Sequence, residues 1–230
     1  MNQSINDLDQ THLKGFFFFR FLSLMSFAEG RSAFARGDYG PALAMLEDFF
    51  ERSESGTEAR VAGMRGDLRD AFLELAQLHQ RLDEDALRSI ELCEELAEND
   101  AKVFGKDSCE LALTQLELAD AYQELEHPDL ARAAELVAAA ELVLRGTAHE
   151  GLVCYAKGSI AFDRDDYKGA LEVLEQALRL LPESDAEKRA LVLNVKSLCH
   201  EELGEFPLAL SARLTEMSLV SQVFGKEHPE

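Results

Sequence analysis

The chain has 230 residues, 47% hydrophobic and 29% charged, with five prolines and no tryptophan. That composition supports a sizeable core, and abundant Ala, Leu and Glu suit helices. The formal net charge is −21, with no cluster of Lys and Arg, which argues against nucleic acid and anionic membranes as partners.

The first 22 residues form a segment that runs into the first helix. The apolar run over residues 15–28 is too short to cross a bilayer, and Arg20 interrupts it. As a secretion leader it starts poorly, because Asp7 and Asp9 offset Lys14, although Ser26-x-Ala28 resembles a cleavage site. It is therefore read as part of a buried helix. Four consecutive phenylalanines, Phe16–Phe19, point to all sides of a helix, so the stripe Phe16–Phe21 is a candidate contact for a protein or a second copy.

Next comes a pattern that is written twice. Gly30-x-x-Ala33-Phe34-x-x-Gly37-Asp38-Tyr39-x-x-Ala42-Leu43-x-x-Leu46 returns as Gly158-x-x-Ala161-Phe162-x-x-Asp165-Asp166-Tyr167-x-x-Ala170-Leu171-x-x-Leu174. Small and apolar residues recur at helical spacing around an acidic, aromatic turn, so each copy predicts a helix hairpin. Units are expected near 23–56, 66–104, 108–145, 149–184 and 187–224. The second has Arg69, Phe72, Leu75, Ala76 and His79, then Ile90, Cys93 and Leu96. The third has Leu116, Leu118, Ala119 and Tyr122, a turn lengthened by Glu126-His127-Pro128-Asp129, and then Ala133, Val137 and Ala140. In the fourth, Gly158 and Ala161 let two helices approach closely, an aspartate caps the second, and Pro182 stops it. The fifth has Leu193, Ser197, Gly204, Phe206 and Ala209, and should present an apolar face over 187–224.

These residues resemble the tetratricopeptide repeat, a helix-turn-helix of 34 residues. A second signature, Val103-Phe104-Gly105-Lys106-Asp107, returns as Val223-Phe224-Gly225-Lys226-Glu227-His228-Pro229. It is similar to the longer repeats of kinesin light chains, in which the glycine ends one helix and His-Pro opens the next. Gly225 suits a left-handed helix end and Pro229 a first helical turn; Ser108-Cys109 stands at the first copy instead. The resemblance implies an all-α fold: about five tandem helix hairpins in one right-handed superhelical solenoid over 23–230. Residues 225–230 would start a further repeat. Because a polar capping helix normally closes such an array, the sequence is read as a fragment, with the uncapped last repeat a second route to self-association.

No catalytic constellation stands out. Gly105-Lys106-Asp107-Ser108 lacks the first glycine and the strand of a phosphate loop. The histidines show no zinc spacing, and no cofactor or metal is expected. Cys199-His200-Glu201 cannot converge on one atom, since consecutive helical residues point about 100° apart. It reads as a core cysteine beside an exposed histidine. No enzyme is expected. Four cysteines (Cys93, Cys109, Cys154, Cys199) without a CxxC pair fit a reduced, cytoplasmic chain.

In repeats of this type the first helix of each pair lines a concave groove. That frame places Asp70, Glu74 and Gln77 there from the second unit, and Glu117, Asp120 and Glu124 from the third. Tyr155, Ser159 and Phe162 come from the fourth, with Asn194, Leu198 and Glu201 from the fifth. Chaperone-binding relatives hold a terminal carboxylate with Lys and Asn on this surface. Here the positions are acidic or apolar, so the carboxylate clamp does not carry over, and the asparagine usual in kinesin-light-chain repeats is Glu117, which argues against cargo-peptide binding of that type. The expected function is a scaffold that docks a protein or peptide with a basic stretch. The alternative is the regulatory N-terminal part of a larger enzyme, a kinase or caspase-like protease.

Overall fold

A computed structural model describes residues 28–34, 36, 38–53, 69, 73–79 and 86–223, with only the backbone at 47–53 and 222–223. The described part is helical. The chain divides into two compact units, Met1–Asp85 and Ala86–Glu230. Asp70, Phe72, the stripe Phe16–Phe21 and the signature from Phe224 to Pro229 lie outside the described residues.

In the first unit, α1 (28–34) and α2 (Tyr39–Ser53) form the first copy of the hairpin. Its core holds Ala33, Ala42, Leu43 and Leu46. A Cβ on Gly30 would come 3.1 Å from Leu46 Cγ, so the absence of a side chain sets how closely the helices approach. The rings of Phe34 and Tyr39 pack at 5.8 Å across the turn. A third segment, α3 (73–79), buries Leu75, Ala76 and Leu78.

The second unit contains α4 (Ala86–Val103), α5 (Cys109–Gln123), α6 (Leu130–Leu144), α7 (Glu150–Asp163), α8 (Tyr167–Leu180), α9 (Ala186–Glu202) and α10 (Phe206–Val223). Helices α5/α6, α7/α8 and α9/α10 pair as hairpins. Each hairpin packs on the next through α6 on α7 and α8 on α9, and the first helices α5, α7 and α9 touch in sequence. This is the tandem arrangement that the repeats predict.

Local chemistry sets the helix ends. Ser108, Asp129, Asp166 and Asp185 each accept a hydrogen bond from the backbone N–H three residues on. These caps satisfy donors that a helix start leaves orphaned, each contributing about 1 kcal/mol. Gly105 (φ 101°) and Gly204 (φ 72°) take the left-handed backbone just past α4 and α9, which glycine adopts without steric cost. Helix α8 stops at Leu180, just before Leu181 and Pro182.

His200 departs from the sequence expectation. It is not exposed: it is buried beside the buried Cys199. Its Nδ1 lies 2.7 Å from Glu205 Oε2, across the turn that follows α9. The sequence frame missed this because the partner belongs to the turn, not to the helix. Among the described residues, no helix is long and apolar enough to cross a membrane.

Candidate protein-binding groove

Glu117, Asp120 and Glu124 lie three and four residues apart on α5, a spacing that puts them on one face. The contact between α5 and α7 brings two α7 residues, Tyr155 and Asp163, into their field. Asp120 is half-buried. Burial pushes its carboxyl up to about 7, with further upward contributions from Glu117, Glu124 and Asp163. The charged neighbours that shift it are all carboxylates. Asp163 is also raised, first by burial and then by Glu124.

Tyr155 is half-buried over the same cluster, and its phenol is raised by burial and then by Asp120, Glu117, Glu124 and Asp163. Beneath them, the buried Cys93 of α4 is pushed up to about 12 by burial, then by Glu117 and Asp120. A thiol held so high is inert at neutral pH. The arrangement can attract and orient positive charge, and Tyr155 supplies an aromatic surface within it.

The remaining expected groove residues fare differently. Phe162 is half-buried; it packs on the core that holds Leu174 and Val195, and its ring lies 5.6 Å from that of Tyr167. Ser159 is half-buried on α7. Asn194 Oδ1 accepts from Arg213 Nη1 at 2.7 Å, which ties Asn194 to the second helix of its own hairpin. Leu198 is half-buried and Glu201 exposed on α9. In the first unit, Glu74 receives Arg31 Nε at 2.9 Å, so its carboxylate already holds a cation, and Gln77 is half-buried. Asp163 is the one member of the acidic group that the sequence reading did not select. It stands in the run Asp163-Arg164-Asp165-Asp166, which reads as turn, and only the packing of α7 on α5 separates it from that run.

No family profile matches this sequence, and no curated protein is significantly similar to it. Solved structures are. The chain is similar to BtubC from P. vanneervenii, with 18% identity, a TM-score of 0.56, and 87% of this chain and 80% of that one covered. It is also similar to the nearly identical TPR-like repeats of a putative kinesin light chain from P. anserina. There the identity is 15% and the TM-score 0.55, over 89% of this chain and 96% of that one. A point variant of those repeats matches with 15% identity and a TM-score of 0.57, over 86% and 94%. At such identities the likeness concerns fold. The chain has the all-α, tandem helix-hairpin fold of the tetratricopeptide-type repeat proteins.

Proposed function

We propose that this chain is a protein-interaction scaffold in which the acidic face of α5 and α7 takes a basic segment of a partner protein. One observation carries the reading: Asp120 sits half-buried among Glu117, Glu124 and Asp163, and its carboxyl is held up to about 7. A carboxylate group that repels itself gains most when a Lys or Arg side chain enters it. Tyr155 would flank such a side chain, and the outer carboxylates would steer its approach. The four cysteines are free thiols, which suits a cytoplasmic scaffold.

The test uses the whole chain and a fluorescent lysine-rich peptide, with a glutamate-rich peptide as control. The lysine-rich peptide should bind, more weakly as salt rises, because screening shortens the reach of exposed charge. Glu117→Lys with Glu124→Lys should repel it while the helical signal and melting temperature hold. Equal binding by wild type and double variant would overturn the reading.

A further inference from the structure

In the second unit, α6 and α8 each turn one side to the first helix of their own hairpin and another to the following hairpin. In α8 the latter side is formed by Tyr167, Leu171, Glu175 and Leu178, and α9 covers it. Lys196 of α9 pairs with Glu175, and Arg189 Nη1 donates to the Leu178 carbonyl at 2.7 Å. Leu171 and Leu178 pack on a core that includes Val192, Val195 and Cys199. At the preceding interface Lys157 of α7 pairs with Glu141 of α6 at 2.8 Å, Glu141 standing at the register of Leu178 and not of Glu175, and Arg164 donates to the Leu130 carbonyl at 2.9 Å. Lys157 and Lys196 hold the same register, as do Gly158-x-x-Ala161 and Ser197-x-x-His200 beside them.

In α10, the positions of Tyr167, Leu171, Glu175 and Leu178 are taken by Phe206, Leu210, Leu214 and Met217. They are 68%, 61%, 57% and 61% exposed, a continuous apolar stripe over about three turns. Leu214 replaces the carboxylate that receives a lysine in α8. The other register at which this lysine finds a carboxylate, that of Glu141 in α6, is Met217 in α10. A hairpin of this chain's own kind would therefore bring its lysine against Leu214 and Met217, which desolvate the ammonium without pairing it. The stripe asks for an uncharged, apolar occupant.

We propose that the occupant is a second copy of the chain, with α10 packed on α10 about a two-fold axis. A two-fold contact sets one patch against itself, so it requires a patch that does not repel its own image. The α10 stripe meets that requirement within a chain of net charge −21. The charged residues of α10 are Arg213 and Glu216, which pair with each other at 2.9 Å. Ser211, Thr215 and Ser218 flank the stripe and add no charge. The spacing of Phe206, Leu210 and Leu214 forms an i, i+4 ridge, the commonest kind to interdigitate between helices. Elsewhere the copies repel, so screening should strengthen this contact, the opposite of its effect on a basic partner.

The experiment is sedimentation of the full chain from low to high micromolar concentration, at low and moderate salt. Wild type should form a dimer that tightens with salt. Leu214→Glu should be monomeric with an unchanged helical signal, and Leu210→Ser, a milder change in the same stripe, should weaken the dimer. Leu142→Glu, at an exposed leucine on α6, should dimerise like wild type. A wild type that stays monomeric throughout would overturn the proposal. A Leu214→Glu variant that dimerises as wild type does would also overturn it.

Discussion

A Cβ on Gly158 would stand 2.6 Å from Leu174 Cδ2, closer than two carbons can approach. Leu174 is fully buried, so it cannot swing away as the end of a surface side chain could. The missing side chain at Gly158 therefore sets the distance between α7 and α8. Gly158→Ala should destabilise the protein by about 1–3 kcal/mol through overpacking, outweighing the ~1 kcal/mol that alanine otherwise gains in a helix. Chemical denaturation of the two proteins checks this. A variant as stable as wild type would mean that the hairpin opens at little cost.

A second test concerns Asp165, which takes the left-handed backbone at φ 60° in the turn between α7 and α8. Gly204 holds the corresponding place between α9 and α10 at φ 72°. The aspartate is kept there with its Oδ1 accepting from the Tyr167 hydroxyl at 2.8 Å. That hydrogen bond, more than desolvation or the bare charge, pushes the Tyr167 phenol up to about 12. Asp165→Gly should relieve the backbone, leave stability within about 1 kcal/mol, and let the phenol fall toward the ordinary ~10. Asp165→Val should destabilise by about 1–3 kcal/mol, because a β-branched residue resists that backbone. Ultraviolet titration and denaturation of both variants separate the two effects.

These tests mark how far sequence reaches in this fold. The turn of the fourth hairpin, the cap at Asp166 and the helix end at Gly105 were legible because each depends on residues within a few positions. The close approach at Gly158 was legible because small residues recur at one register in both clear repeats. His200 was misread because the partner of its ring, Glu205, lies on the other side of a turn. Asp163 was passed over because its acidic neighbours lie on a different helix, and a stretch of charge reads as loop. The apolar face of the fifth unit was expected from the sequence. That it carries Leu214 where α8 carries Glu175 becomes meaningful only once α9 is seen to fill that position with Lys196.

The ion pairs between hairpins allow a third prediction. Lys157 and Glu141 are both partly exposed, and such pairs typically contribute about 0–1 kcal/mol. Lys157 and Arg145 together hold the Glu141 carboxyl below its ordinary range, Lys157 the more strongly. The folded state thus binds the proton less readily than the unfolded chain does. The stability contributed is present above the unfolded pKa and is lost as pH falls through the folded one. Lys157→Met should therefore lower the melting temperature slightly at neutral pH and not at all in strong acid. An equal loss at both pH values would show that the lysine acts through packing alone.

Asp120 behaves in the opposite sense. Its carboxyl rises from an ordinary 3.8 to about 7, because burial disfavours the charge and Glu117, Glu124 and Asp163 oppose it. Tyr155 and the Cys93 thiol, neutral at these pH values, share the field of this cluster. Between those two values the folded state holds a proton that the unfolded chain has released, so stability falls as pH rises through that window. A basic partner prefers the ionised group, so its affinity should rise over the same range. The pH that weakens the fold is then the pH that arms the groove, a trade familiar where binding sites store unfavourable charge. Asp120→Asn separates the two consequences. At pH 8 the variant should melt above wild type, and at pH 5 the difference should shrink. Wild type should bind a lysine-rich peptide more tightly at pH 8 than at pH 5, whereas the variant should gain less over that interval. If Asp120→Asn shifts the melting temperature equally at both pH values, Asp120 titrates as an ordinary carboxylate and the strain assigned to the cluster is absent.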